Sequence, residues 1–287
     1  MRSSMTRAST IVAVVSALSL MVSACGSSAK TTTPGASTPT QPSPQAAVAS
    51  AISTYRDFVE SEAAQLDNAT SQFARLVQTG NVAGAKKAYA EVHSHYERIE
   101  PVAERLGMLD SQIDAQAGDV PAAQFEGFHR IEEQLWDKGN ANAMSPVAGA
   151  LLLHVSDLQS RIPQLVLDPK LLAAGAVELL NEVATRKITG EEERYSHTDL
   201  WDIEANLEGS RQAIAALRPI IEAKDPQLAT TLDTRFAATE TTLAKYGRGA
   251  GYVLYTALTP SDIRALGAQV HALADDVAKV VPLVRAS

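Results

Sequence analysis

Over some 240 residues after position 45, the large apolar side chains recur at intervals of three and four, with almost none of the strict alternation of a half-buried strand. That spacing lines one face of an α-helix, so it commits the chain to an all-α fold. Ala51, Tyr55, Phe58, Val59, Leu66, Phe73 and Val77 make a first stripe ending at Gly80. Asn81 then caps a helix with the stripe Ala85, Tyr89, Val92, Tyr96 and Ile99, which Pro101 interrupts.

Leu106 to Val120 has no clear periodicity, and Pro121 is placed to open a helix carrying Phe125, Phe128, Ile131 and Leu135 up to Gly139. Ser145-Pro146, Asp168-Pro169, Asp225-Pro226 and Thr259-Pro260 each pair a capping residue with a proline suited to a first helical turn. Ser196 and Asp199 begin another long amphipathic segment, to Ile221, in the manner of a capping box. Gly247-Arg248-Gly249-Ala250-Gly251 lacks the Lys-Ser/Thr and the preceding strand of a phosphate loop, and reads as a flexible turn. About eight helices in this length point to stacked antiparallel bundles.

The chain holds one cysteine. Cys25 directly follows Ser23 and Ala24 at the end of the apolar run Ile11 to Val22, which Arg2 and Arg7 precede. A run this short between those flanks reads as an export signal, residues 1–24, and the small residues before the cysteine resemble the lipobox of bacterial lipoproteins. Cys25 is then the lipidated residue, and residues 25–45, rich in Ser, Thr and Pro, form a disordered tether to a body over 46–287. The expected location is the extracytoplasmic face of the cell membrane. With no second cysteine, a disulfide within the chain is excluded and the body must rely on packing. The formal charge is −8 and becomes −10 without Arg2 and Arg7, which disfavours nucleic acid and suits a carrier of cations.

Two local patterns carry metal chemistry. His129 and Glu132, at i and i+3 on a predicted helix, project from one face and can hold one ion. Glu97 and Glu100 share a face where Pro101 frees backbone groups, and Asp114 follows in a loop. Three carboxylates with an imidazole make a hard oxygen and nitrogen set suited to Fe, Mn or Zn. By spacing alone, these groups also fit a solvated charged face. His93 reaches Glu97 at i+4, while His95 points elsewhere, and neither is counted as a ligand. His154 and Asp157 read as surface residues.

Tyr96-Glu97-Arg98-Ile99-Glu100-Pro101, then Phe128-His129-Arg130-Ile131-Glu132, then Lys187 to Asp202 (KITGEEERYSHTDLWD) with Ala205 to Ser210 (ANLEGS), resembles the imelysin or M75 family in its EfeO and EfeM iron-uptake branch. The resemblance implies two antiparallel four-helix bundles with a cleft between them. It also implies a metal site on His129 and Glu132 with Glu97, Glu100, Asp114 and Glu193 as acidic partners. The ligand would be iron, as Fe2+ or Fe3+, with Zn, Mn and Cu as further metals to test. The implied partners are an iron permease of the EfeU type and a haem peroxidase of the EfeB type. Since only the tether precedes the helical region, the chain resembles the short form without a cupredoxin-like domain. The resemblance implies a binding protein and no enzyme: the His-Glu-x-x-His sequence of helical metallopeptidases is absent. Polysaccharide or haem binding, with Trp136 and Trp201 as stacking surfaces, is the competing reading.

Overall fold

The computed structural model describes residues 43–285. The expected leader, Cys25 and all but the end of the tether lie outside the described residues. At that end Ser43 caps the first helix through its hydroxyl, which accepts from the Ala46 amide, and Pro44 occupies the first turn.

This helix, α1 (Pro44–Gln78), runs 35 residues, about 50 Å at 1.5 Å per residue. It buries Ala51, Tyr55, Val59, Leu66, Phe73 and Val77 as the stripe predicts, with Phe58 half-buried at the edge. Asn81 accepts from the Gly84 amide at 3.0 Å and caps α2 (Val82–Glu97). The chain then bends through Arg98 and Ile99 into a single turn, α3 (Glu100–Ala103), with Pro101 at its start. The stretch without periodicity contains a short helix, α4 (Met108–Asp114), too brief for a stripe to reveal, so Asp114 ends a helix and does not sit in a loop.

Pro121 does not open the next helix. It precedes a 3₁₀ turn at Ala122–Gln124, and α5 (Gly127–Trp136) begins at Gly127. Gly127 has φ +84°, and a Cβ there would lie 2.2 Å from the Ile113 carbonyl oxygen. Only glycine allows α5 to start against α4 in this way.

The remaining helices are α6 (Ser145–Arg161), α7 (Pro169–Thr185), α8 (Asp199–Lys224), α9 (Pro226–Leu243), α10 (Pro260–Ala278) and α11 (Val280–Arg285). Asp168 and Asp225 cap as expected, and Thr259 forms a full capping box with Asp262. Ser145 makes no capping hydrogen bond, and α8 starts at Asp199, not Ser196. The Gly-rich segment is a small hairpin of β1 (Gly247–Arg248) and β2 (Gly251–Tyr252), the only sheet among the described residues.

The molecule is all-α apart from that hairpin. Helices α1, α2, α5 and α6 pack on one another, α7, α8, α9 and α10 form a second set, and α8 also packs on α1 and α2. The ends of α2, α4, α5 and α8 are thereby brought together. No described helix is long and apolar enough to cross a membrane.

Candidate metal centre

Helical spacing places the side chains of this site. His93 and Glu97 lie one turn apart on α2, His129 and Glu132 one turn apart on α5, and Asp199, Asp202 and Asn206 follow one face of α8. Asp114 arrives from the end of α4, Glu100 from α3, and Lys187, Glu192 and Glu193 from the connection between α7 and α8.

His93 is fully buried at the middle. Its Nε2 meets Asp114 Oδ1 at 2.5 Å and lies 3.5 Å from Glu97 Oε1. Its Nδ1 hydrogen-bonds with Asp202 Oδ1 at 3.2 Å and faces Glu193 Oε1 at 2.9 Å, an ion-pair separation outside hydrogen-bond alignment. His129 packs edge-on against it, with ring centroids 5.2 Å apart. His129 Nδ1 is 3.3 Å from Glu132 Oε2, and its buried Nε2 has no hydrogen-bond partner among the described residues, lying 3.6 Å from Asp114 and 3.8 Å from Glu192.

Glu132 divides its two oxygens between tasks. Oε1 accepts from the Tyr195 and Ser196 amides at 2.8 and 2.7 Å, fixing the loop that carries Glu193, while Oε2 faces His129. Ser196 donates to Glu193 Oε2 at 2.7 Å, and Asp199 accepts from the Glu193 amide at 3.2 Å. Ser196 and Asp199 therefore serve the loop of the site and not the cap the sequence suggests. Asn206 donates to the Glu97 carbonyl and to its carboxylate, at 2.9 and 2.8 Å.

All six residues predicted from sequence meet in this one region. Ligand atoms fall within 4.8 Å of one another in four overlapping sets: His129, Glu132, Glu193; His93, Asp114, His129; His93, Glu97, Asp202; and Glu97, Asp114, Glu192. Glu100 enters none of them and is held instead by Lys187, 3.2 Å away. Sequence reading passed over His93, Asp202, Glu192 and Lys187. For His93 the signal was present, in its i+4 relation to Glu97. His95 does point away, pairing with Glu62 at 2.8 Å.

Eight carboxylates, those of Glu97, Glu100, Asp114, Glu132, Glu192, Glu193, Asp199 and Asp202, converge here against one lysine and two imidazoles, nearly all out of solvent. Burying a charge without a partner costs several kcal/mol, so such a centre must hold protons or a cation. Its titration properties show the strain. Burial pushes Glu193 and Glu100 well above the carboxylate range. Burial also raises Asp199 to about 7, and Glu97 to about 8 despite Lys187 and His93. Burial opposes charging of His129, yet its bond to Glu132 and the field of Asp114 raise it to about 10. Burial pushes Asp114 and Glu132 up as well, yet both stay below their usual values: His93 and His129 outweigh it at Asp114, and His129 with the Ser196 and Tyr195 amides outweighs it at Glu132. A divalent or trivalent cation is the economical way to neutralise this arrangement, and its nitrogen and oxygen donors are those of a hard to borderline metal.

Beside the centre lies a cavity of about 190 Å³, lined by Glu100, Glu104, Asp110, Asp114, Asp119, Glu182, Arg186 and Glu192. Acidic walls of this kind concentrate cations at the mouth. The two tryptophans proposed for stacking are packed instead. Trp136 sits edge-on to Tyr89 under Lys86, and Trp201 sits edge-on to Tyr252.

Comparison with known proteins gives a consistent picture. The family model described as imelysin, peptidase M75, matches residues 51–280. The chain is 41% identical over 234 residues to the iron uptake system component EfeO of Escherichia coli strain K12, covering 80% of this chain and 62% of that protein. The proteins of the same name from Escherichia coli O157:H7 and Shigella flexneri match to the same extent. The chain thus spans less than two thirds of the length of these relatives.

Proposed function

This chain belongs to the imelysin family, and on that premise we propose that it captures iron, as Fe(II) or Fe(III), for an iron uptake system. The ion is held at the centre of His129, Glu132, Glu193, Asp114 and His93 and is passed to a membrane permease of the EfeU type. A haem peroxidase of the EfeB type is its redox partner, and Cys25 anchors the protein by lipid to the outer face of the cell membrane. The observation that carries the reading is the buried excess of carboxylates around an imidazole nitrogen, His129 Nε2, that has no hydrogen-bond partner among the described residues. The name shared by the relatives supplies the metal.

Capture fits the geometry better than hydrolysis. A zinc peptidase presents an open coordination position and a positioned general base to substrate. Here the donors are enclosed, and one oxygen of Glu132 is already committed to the Tyr195 and Ser196 amides. Calorimetric titration with Fe(II) under anaerobic conditions, and with Fe(III) citrate, tests the proposal. His129→Ala is expected to weaken iron binding by about 10- to 100-fold with helical content unchanged, in line with loss of a metal-site partner. Equal affinity in that variant would remove the proposal.

A further inference from the structure

Lys187 is completely buried in a single 3₁₀ turn, Lys187–Thr189. Its ammonium group touches Glu97 Oε2 and lies 3.2 Å from Glu100 Oε2 and 3.9 Å from Glu192 Oε1. Burying an ammonium is costly unless its partners are well placed, so this lysine is not there to fill space. It stands among the carboxylates that form a ligand set of their own, since oxygens of Glu97, Asp114 and Glu192 all lie within 4.8 Å of one another. Asp114 also belongs to the set of His93 and His129. Two positions sharing a carboxylate is the plan of two-ion centres.

A separate observation points to a ligand at this second position. Glu97 Oε1 and Asn206 Oδ1, both on fully buried side chains, have no hydrogen-bond partner among the described residues. The ammonium meets the other oxygen of Glu97, and Asn206 uses its amide nitrogen. Lys187 therefore leaves Glu97 Oε1, on a member of the carboxylate set, as a coordinating atom that a metal ion would use.

We infer that Lys187 is a built-in counter-cation that fills the second position of what would otherwise be a two-cation centre, and so limits the protein to one cargo ion. The inference rests on the cation-binding reading of the His129 position. A tethered ammonium carries one charge where a metal ion would carry two or more, and it cannot leave. It neutralises part of the acidic cluster in the empty protein, and as a fixed positive charge near the cargo it weakens the hold on an ion that has to be handed on.

The test uses Mn(II) as probe with the full chain, its Lys187→Met variant and its Lys187→Arg variant. Native mass spectrometry counts the ions and electron paramagnetic resonance reports whether they are coupled. The wild type and Lys187→Arg should each take one Mn(II) with an isolated-ion spectrum. Lys187→Met should take two, with the spectrum of a spin-coupled pair, and should gain more thermal stability from Mn(II) than the wild type does. One ion in Lys187→Met, two in Lys187→Arg, or a Lys187→Met chain that saturating Mn(II) does not fold would each overturn the inference. A wild type that binds no Mn(II) or iron would instead refute the reading on which it rests.

Discussion

Glu132 separates two effects that most ligand substitutions mix, because its two oxygens do different work. Oε1 accepts from two backbone amides and Oε2 faces His129. In Glu132→Gln the amide oxygen can take over the role of Oε1, so the loop at Tyr195 and Ser196 stays in place. Two charge-assisted hydrogen bonds become neutral ones, a loss of about 1 kcal/mol each, or about 2 kcal/mol in total. For a body of this size that corresponds to a fall in melting temperature of roughly 4–8 °C. The amide nitrogen now faces His129, a donor where an acceptor stood, and cation affinity should fall by about 10- to 100-fold. Glu132→Ala leaves both amides buried without acceptors, at about 1–3 kcal/mol each, and should melt lower again. Urea unfolding of the empty proteins and calorimetry with Fe(II) measure the two quantities. Wild-type affinity in Glu132→Gln, or equal stability of the Gln and Ala variants, would refute the division of labour.

Three further outcomes follow from the same geometry. His129 is held protonated up to about 10 and Glu97 up to about 8, above their unfolded values, so the native state binds more protons than the unfolded state between about pH 4.5 and 10. The stability of the empty protein should therefore fall as pH rises through that range. It should also fall at acid pH, as the depressed Asp114 and Glu132 are protonated, leaving an optimum at about pH 4.5 in urea unfolding series. A cation needs imidazole nitrogen and carboxylate oxygen free of protons, so affinity should rise with pH and binding should release at least one proton, read from calorimetry in buffers of different ionisation enthalpy. Gly209→Ala on α8 would place a Cβ 2.3 Å from the Arg98 carbonyl oxygen, and displacing that backbone should cost at least about 2 kcal/mol in chemical unfolding.

Local rules read the elements well and the site only in part. Asp168, Asp225 and Thr259 declare their caps because a cap is settled within four residues. The same rule misplaced Ser145 and Ser196, and at Ser196 the hydroxyl is taken by Glu193 while the amide is held by Glu132, 64 residues away. The start of α5 escaped because its cause, the close approach of Gly127 to Ile113, lies in a contact between helices and not in the proline signal upstream. His129 and Glu132 were legible since one helical turn joins them. His93 was legible only as a neighbour of Glu97 one helical turn on, while what makes it central, its bond to Asp202, lies 109 residues away. Lys187 gives no local sign at all, since a lysine is read as solvated until the carboxylates of Glu97 and Glu100 are seen around it.

On the proposed function, these buried carboxylates and imidazoles hold iron. Anomalous diffraction at the iron edge, from crystals soaked anaerobically with Fe(II), tests it most directly. One strong peak is expected between His129, Glu132, Glu193 and Asp114, with Lys187 still on Glu97. Iron found only on exposed carboxylates, or no peak within this cluster at saturating metal, would contradict it.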